Sequence, residues 1–456
     1  MNRTYLSSIV DRRSVLRGLA GWGATAVLPA KTSVFDVREH GAAADGSTLA
    51  TKSIQRAVDA CAAAGGGSVY FPPGRYLSGT IFLKSGVALD LEAGAVLLGS
   101  KNLADYPETI QSFRSYTDVY TRKSLIYAEK VENIAIRGRG RIDGQGAAFK
   151  GPYLVRPYMI RVIECRNILV EDVTIVDSPM WVQHYLACDD VVIRGIKVYS
   201  NVNSNNDGID IDCSQRVRIS DCDINSGDDA IVLKATASRP CRDIVVTNCT
   251  LKTHCNALKL GTESNGGFDN IAVSNCTIFD TRLSGIAVEM VDGGALNRVT
   301  FSNIVMTNVG APIFVRLGNR ARPFLENGPK PGMGSLRNVV ISNVQATGAG
   351  KVGCSITGLV GHPAEDITLD NIRLSFVGGG TAADAQRKIE EVAEKYPEFA
   401  MFGTLPAYGF YCRHVRNLTL RNVETRFESP DQRPGLVTDD VAGLRVIDSS
   451  FVNGQR

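Results

Sequence analysis

Between Asn205 and Asp229 the chain reads NNDGIDIDCSQRVRISDCDINSGDD, which sets Asp207 twenty-one and twenty-two residues ahead of the adjacent pair Asp228 and Asp229. Three carboxylates drawn into one small space support two kinds of chemistry. Like charges a few ångströms apart push one member's pKa up, so that it stays protonated as a general acid while a neighbour remains ionised as a base. That division of labour suits hydrolysis of a glycosidic bond, where an inverting pair stands roughly 6.5–9.5 Å apart with a water between base and sugar. The same carboxylates are also suitable ligands for a hard cation such as Ca²⁺. Adjacent acids occur at no other turn of the same type, whereas Asp221 reads as an ordinary corner residue.

Acids this far apart in sequence meet only if the chain makes one turn of a coil between them, and a repeat predicts that it does. NILVEDVTI from Asn167, DVVIRGIKV from Asp190, RVRISDCDI from Arg216 and DIVVTNCTL from Asp243 share one pattern, which continues through NIAVSNCTI, RVTFSNIVM, NVVISNVQA, DITLDNIRL, NLTLRNVET and GLRVIDSSF. The sixth position gives Asp172, Gly195, Asp221, Asn248, Asn275, Asn303, Asn343, Asn371, Asn422 and Asp448, mostly 23 to 28 residues apart. Asn, Asp and Gly tolerate the left-handed backbone of a tight corner, and the residues between alternate with a period of two. These features predict an all-β fold, a right-handed single-stranded parallel β-helix of about ten coils. Successive rungs of such a coil lie about 4.8 Å apart, close enough for carboxylates on neighbouring rungs to perturb each other.

Ahead of the repeat, Thr51 to Ala64 has Ile54, Val58 and Cys61 on one stripe and ends at Gly65-Gly66-Gly67, as a helix capping the open end of a sheet would. Two intervals in the corner ladder are too long. The first, between 303 and 343, holds a Pro/Gly-rich loop with Arg316, Arg320 and Arg322. The second, between 371 and 422, holds Thr381 to Tyr411, of which Ala382–Lys395 reads as helical. Insertions in a solenoid gather on one face, so both are candidate cleft walls.

Residues 1–30 read as a twin-arginine-type signal peptide. Arg12-Arg13 precedes a short apolar run, Gly18 to Leu28, and cleavage is expected after Ala30, leaving 31–456 as a catalytic β-helix domain. Export to the periplasm or outside the cell is therefore expected. The run is too short for a membrane anchor. A net charge of +3 argues against nucleic acid as a partner. The eleven cysteines are odd in number, and Cys222, Cys249 and Cys276 recur every twenty-seven residues, so they are expected as free core residues. No Cys or His cluster has metal-ligand spacing; no metal or cofactor is expected, and a monomer is.

Over essentially its whole mature length the chain resembles the polygalacturonase family, glycoside hydrolase family 28. Asn205-Asn206-Asp207 matches the family's Asn-Thr-Asp motif and Gly227-Asp228-Asp229 its Gly-Asp-Asp motif. The resemblance implies an inverting glycoside hydrolase acting on pectic polysaccharide or oligosaccharide, with Asp228 as general acid and Asp207 and Asp229 holding and deprotonating the attacking water. Two motifs depart from the family. Its Gly-His-Gly falls on Cys255-Asn256-Ala257, leaving Asn256 in the histidine's place, with His254 two residues earlier and about 7 Å away along an extended chain. Its Arg-Ile-Lys, which binds the galacturonate carboxylate, falls on Ala287-Val288-Glu289. A neutral sugar opposite Glu289, as in rhamnogalacturonan, suits these residues better than unmodified polygalacturonate. Asn205, His254, Asn256, Lys259, Glu289 and Arg316 are the candidate substrate-binding residues. The alternatives are a Ca²⁺-dependent, pectate-lyase-like enzyme and a non-catalytic carbohydrate-binding β-helix.

Overall fold

A computed structural model describes residues 33–452. The expected signal peptide, residues 1–30, lies outside the described residues. Helix α1, Thr51–Ala63, buries Ile54, Ala57, Val58 and Cys61 in the core at the N-terminal end of the coil. The strands that position the acidic cluster are β1 (Gln183–Leu186), β2 (Ile209–Asp212), β3 (Ile231–Ala235), β4 (Leu258–Ser264), β5 (Phe268–Met290), β6 (Ala295–Leu317), β7 (Cys354–Thr357) and β8 (Phe410–Ser429). Each pairs in parallel with the equivalent strand of the next coil, making a parallel β-helix.

The registers sort residues into columns. Tyr185, Ile211, Leu233, Leu260, Val288, Val315, Ile356 and Cys412 stack inward, each almost fully buried. The outward column runs His184, Asp210, Val232, Lys259, Ala287, Phe314, Ser355 and Tyr411. A second outward column places Lys234 beside Asp212, and further on Glu289, Arg316, Thr357 and Arg413.

All ten corner residues of the repeat are left-handed, with φ from 47° at Asp448 to 63° at Gly195. Asn303 donates to Asn275, Asn343 to Asn303, Asn371 to Asn343 and Asn422 to Asn371, at 2.7–3.0 Å, so the corners are tied from coil to coil by their side chains. The first position of each unit is left-handed as well, including Arg216 (φ 56°) and Arg298 (φ 53°). The eleven cysteines are free, and all but Cys255 are buried. No described helix is long and apolar enough to cross a membrane.

The second insertion differs from its expected form. Only Ala382–Ala385 is helical (α2), opened by a capping box between Thr381 and Asp384. The chain leaves the helix at Gln386, and further along the insertion the backbone carbonyls are held by side chains of the coil. Those of Ile389 and Glu390 accept from Arg413, and those of Glu391 and Val392 from Arg316, while Val392 itself is left-handed at φ 41°.

Candidate active site

Asp207 and Asp229 occupy equivalent places at the entry to β2 and β3, and Asn256 the same place before β4. Backbone bonds run from Gly208 N to Asp229 O and from Ala230 N to Asn256 O, both 2.9 Å. Successive rungs therefore present Asp207, Asp229 and Asn256 in one column, with Asp228 beside it. Asn205, left-handed at φ 58°, accepts from Arg156 at 2.9 Å and points its amide at Asp228 Oδ2, 3.5 Å away. Asn206 is buried and donates to the carbonyls of Ser178 and Met180, which pins the loop from below.

The three carboxyls sit in different electrostatic surroundings. Asp229 is buried; its Oδ1 accepts from the backbone N of Asn256 (3.1 Å) and from Asn256 Nδ2 (2.9 Å), and its Oδ2 lies 3.1 Å from Lys259 Nζ. Burial pulls its pKa up, but Lys259, Lys234 and the Asn256 amide outweigh that and hold Asp229 below the usual carboxylate range. Asp228 retains a solvent-facing side. Burial, then the Asp229 charge, pushes its carboxyl upward. Asp207 is driven further up by burial and by Asp210 and Asp228. Its nearest cation, Lys234, is shared three ways, at 3.6 Å from Asp207, 3.5 Å from Asp210 and 3.7 Å from Glu263. Neighbouring carboxyls with opposed pKa shifts are what acid/base cleavage requires.

A bulge completes this wall. Between Leu260 and Ser264 strand β4 has three residues opposite the single Lys234 of β3, which turns Glu263 towards Lys234 and Thr262 towards Glu289. Arg320 and Arg322, from the first insertion, reach the same corner and pair with Asp292 and Glu263. Together with Lys234 they keep Glu263 ionised against its burial.

Lys259 lies between Asp229 and Glu289, 3.1 and 3.5 Å away, and is 2% exposed. Glu289 is fully buried, accepts from Thr262 Oγ1 at 3.0 Å, and is pushed up to about 7 by burial against the pull of Lys259. Asn256 is fixed at both ends, since its Oδ1 accepts from Ser284 N at 3.0 Å.

Two expected site residues are not brought to the carboxyls. His254 is exposed, and its imidazole has no hydrogen-bond or ionic partner among the described residues. Its backbone is tied to Ser226 and Arg282, and the slot beside Asp229 is already filled by Asn256. Arg316 is buried and bonds Gly358 O (3.1 Å), Glu391 O (2.8 Å) and Val392 O (3.5 Å). Burial, with Arg413 nearby, lowers it to about 10; it is an anchor for the second insertion and not a free guanidinium for a uronate. Trp181, a possible sugar platform, is 5% exposed beneath Tyr120, Tyr158 and His184, with Lys234 Nζ 4.5 Å over its ring.

Several groups at the site went unread in the sequence: Lys234, Glu263, Tyr153, Tyr396 and Glu398. Lys234 carries a usable signal, as the one charge in the otherwise apolar run AIVLKA. Tyr153, near enough for Asp207 and Asp228 to raise its pKa behind the larger effect of burial, sits on an irregular segment without periodicity. Tyr396 and Glu398 arrive on the second insertion.

A family model described as Glycosyl hydrolases family 28 matches residues 78–396. A probable polygalacturonase of Vitis vinifera is 31% identical over 274 residues, covering 55% of this chain and 56% of that protein. An exopolygalacturonase of Platanus acerifolia is 26% identical, covering 77% and 92%. Among solved structures, a family 28 exopolygalacturonase of Yersinia enterocolitica superposes with a TM-score of 0.71 at 21% identity, covering 93% of this chain and 79% of that one. The alignment thus spans just over half of the grape protein and nearly all of the plane-tree one.

Proposed function

The chain belongs to the glycosyl hydrolases of family 28, and from that premise we propose that it hydrolyses a glycosidic bond of pectic polysaccharide or oligosaccharide with inversion. The observation that carries this reading is the contrast between Asp228, raised and partly exposed, and Asp229, ionised and held by Lys259. Asp228 donates its proton to the glycosidic oxygen, which leaves as a hydroxyl. A water attacks the anomeric carbon from the opposite face and gives a proton to Asp229. Asp207, on the adjacent rung, holds that water.

The sugar facing Glu289 is proposed to be neutral, as in a rhamnogalacturonan. Ala287 and Glu289 stand where the family motif has its cations, Lys259 is claimed by two carboxylates, and Arg316 is engaged by carbonyls. Export by the twin-arginine route belongs to the same proposal, supported by Arg12-Arg13.

A time course on fractionated pectic oligosaccharides tests these readings together. Rhamnogalacturonan oligomers should yield saturated products, with polygalacturonate cleaved at least tenfold more slowly, the scale of one lost charge-assisted contact. Unsaturated, ultraviolet-absorbing products would replace the hydrolase with a lyase. Fast polygalacturonate cleavage would overturn the neutral-sugar assignment.

A further inference from the structure

The second insertion is a strap whose two faces have different tasks. Its outer anchors are apolar and basic. Met401, Phe402 and Leu405 bury against the outward column of the later rungs, while Arg316 and Arg413 grip the carbonyls of residues 389–392. Arg387 bonds the carbonyls of Phe402 and Thr404, and Lys395 that of Met401, closing the strap on itself. Between these anchors Tyr396 and Glu398 are carried back over the catalytic rungs. The Tyr396 hydroxyl lies 3.1 Å from Thr262 Oγ1, and its ring lies 5.7 Å from Lys259 Nζ and 5.4 Å from the Arg320 guanidinium. Glu398 stands close enough to Lys259, Glu289, Asp229, Asp228 and Cys255 for the charges to act on one another. Its Oε2 is buried and has no hydrogen-bond partner among the described residues.

We propose that Glu398 is a specificity-determining residue that hydrogen-bonds a hydroxyl of a neutral sugar bound over the Lys259–Glu289 pair, next to the general acid Asp228, at a place where the charge of Asp229 disfavours a uronate. This rests on the hydrolase reading above. A buried carboxyl oxygen without a partner is an unfavourable state that an arriving hydroxyl relieves. Burial, with Glu289, Asp229 and Asp228, lifts Glu398 to about 8 against the pull of Lys259, so below that pH the group is a neutral acid. A neutral carboxyl both donates and accepts, as a sugar hydroxyl does, while a uronate brought to the same place would meet the ionised Asp229 that already acts on Glu398. Among the described residues no cation nearby is free to offset the uronate, because Lys259 already serves Asp229 and Glu289. The titratable and charged groups around Glu398 are Lys259, Glu289, Asp228, Asp229, Cys255 and the strap's own Tyr396.

The test compares wild type, Glu398→Ala and Glu398→Gln on a rhamnogalacturonan oligosaccharide and an oligogalacturonate, below and above pH about 8. Turnover and calorimetric affinity are both measured, with thermal melting to verify the fold. Wild-type KM for the rhamnogalacturonan oligomer should rise as the pH passes about 8 and Glu398 ionises. Glu398→Ala should raise KM and Kd about tenfold, the scale of one neutral hydrogen bond, and more than it lowers kcat. Glu398→Gln should raise KM less and abolish the alkaline rise, because an amide donates and accepts but does not titrate. Hydrolysis with an unchanged KM in both variants would overturn the role of Glu398 while leaving the hydrolase intact. Tenfold weaker binding without hydrolysis by any form would do the reverse. Failure of folded wild type to bind the oligomer would overturn both.

Discussion

Asparagine at position 228 is expected to lower kcat by about a thousandfold, within the 10²–10⁴ range that a positioned general acid contributes. KM should change far less, because the amide oxygen still accepts from Asp229 N, as Oδ1 does now at 2.9 Å. The fold should not suffer. A carboxyl whose pKa is raised in the folded state stabilises the protein fully below its unfolded value and loses that contribution as pH rises through the folded value. Burial and the Asp229 charge raise Asp228, so at neutral pH its ionisation weighs against the fold. Asp228→Asn should melt at the same temperature as wild type or higher. Steady-state kinetics on the preferred oligosaccharide, with a melting curve on the same sample, would check both halves. Wild-type turnover in the variant would remove the acid assignment.

Lys259→Met should harm both stability and activity. Lys259 is 2% exposed and is the counter-charge shared by Asp229 and Glu289 at 3.1 and 3.5 Å. Removing one partner of a buried ion pair leaves an uncompensated charge and costs about 3–5 kcal/mol. Glu289, already pushed up to about 7, can take a proton in response. Asp229 then loses the larger of the two cations that hold it down, its pKa climbs, and the base is protonated over more of the working range. We expect kcat/KM to fall at least a hundredfold, the lower end of general-base effects. The pH dependence has a definite sign. Asp229, depressed in the folded protein, contributes stability above its unfolded pKa and loses it as pH falls through the folded one. That acid-side window should shrink in Lys259→Met. Denaturant titrations at neutral and acidic pH measure this, and an unchanged midpoint would contradict the bridging role. The double variant Lys259→Met/Glu289→Met should recover only part of the stability, since apolar groups replace the Lys259–Glu289 pair while Asp229 still lacks its counter-charge. It should not recover activity.

The coil was readable because its corners demand a backbone that few residue types tolerate, and Asn, Asp and Gly report that demand directly. Arg216 and Arg298 adopt the same left-handed geometry without announcing it, and only their place in the repeat identifies them. The catalytic column was readable for the same reason. One coil separates Asp207 from Asp229 and Asp229 from Asn256, so the spacing sufficed to stack them. Chemistry arriving from outside the repeat was not. Tyr396 meets Thr262 across 134 residues of sequence, on a strap with no periodicity of its own. Arg316 shows the opposite error. Its residue type suggests a grip for a uronate, but the strap's carbonyls had already taken its guanidinium. The helix expected over Ala382–Lys395 ends at Ala385, and beyond it carbonyls of the strap are held by Arg316 and Arg413 with no helical ladder.

Proton NMR of the first-formed product, recorded before mutarotation scrambles the anomers, tests the central claim most directly. A protonated Asp228 on one face and a water activated by Asp229 on the other allow a single displacement. The new reducing end should therefore appear with the anomeric configuration opposite to that of the bond cleaved. A product that keeps the original configuration would require a covalent intermediate on one of these carboxylates and would contradict the assignment of Asp207, Asp228 and Asp229.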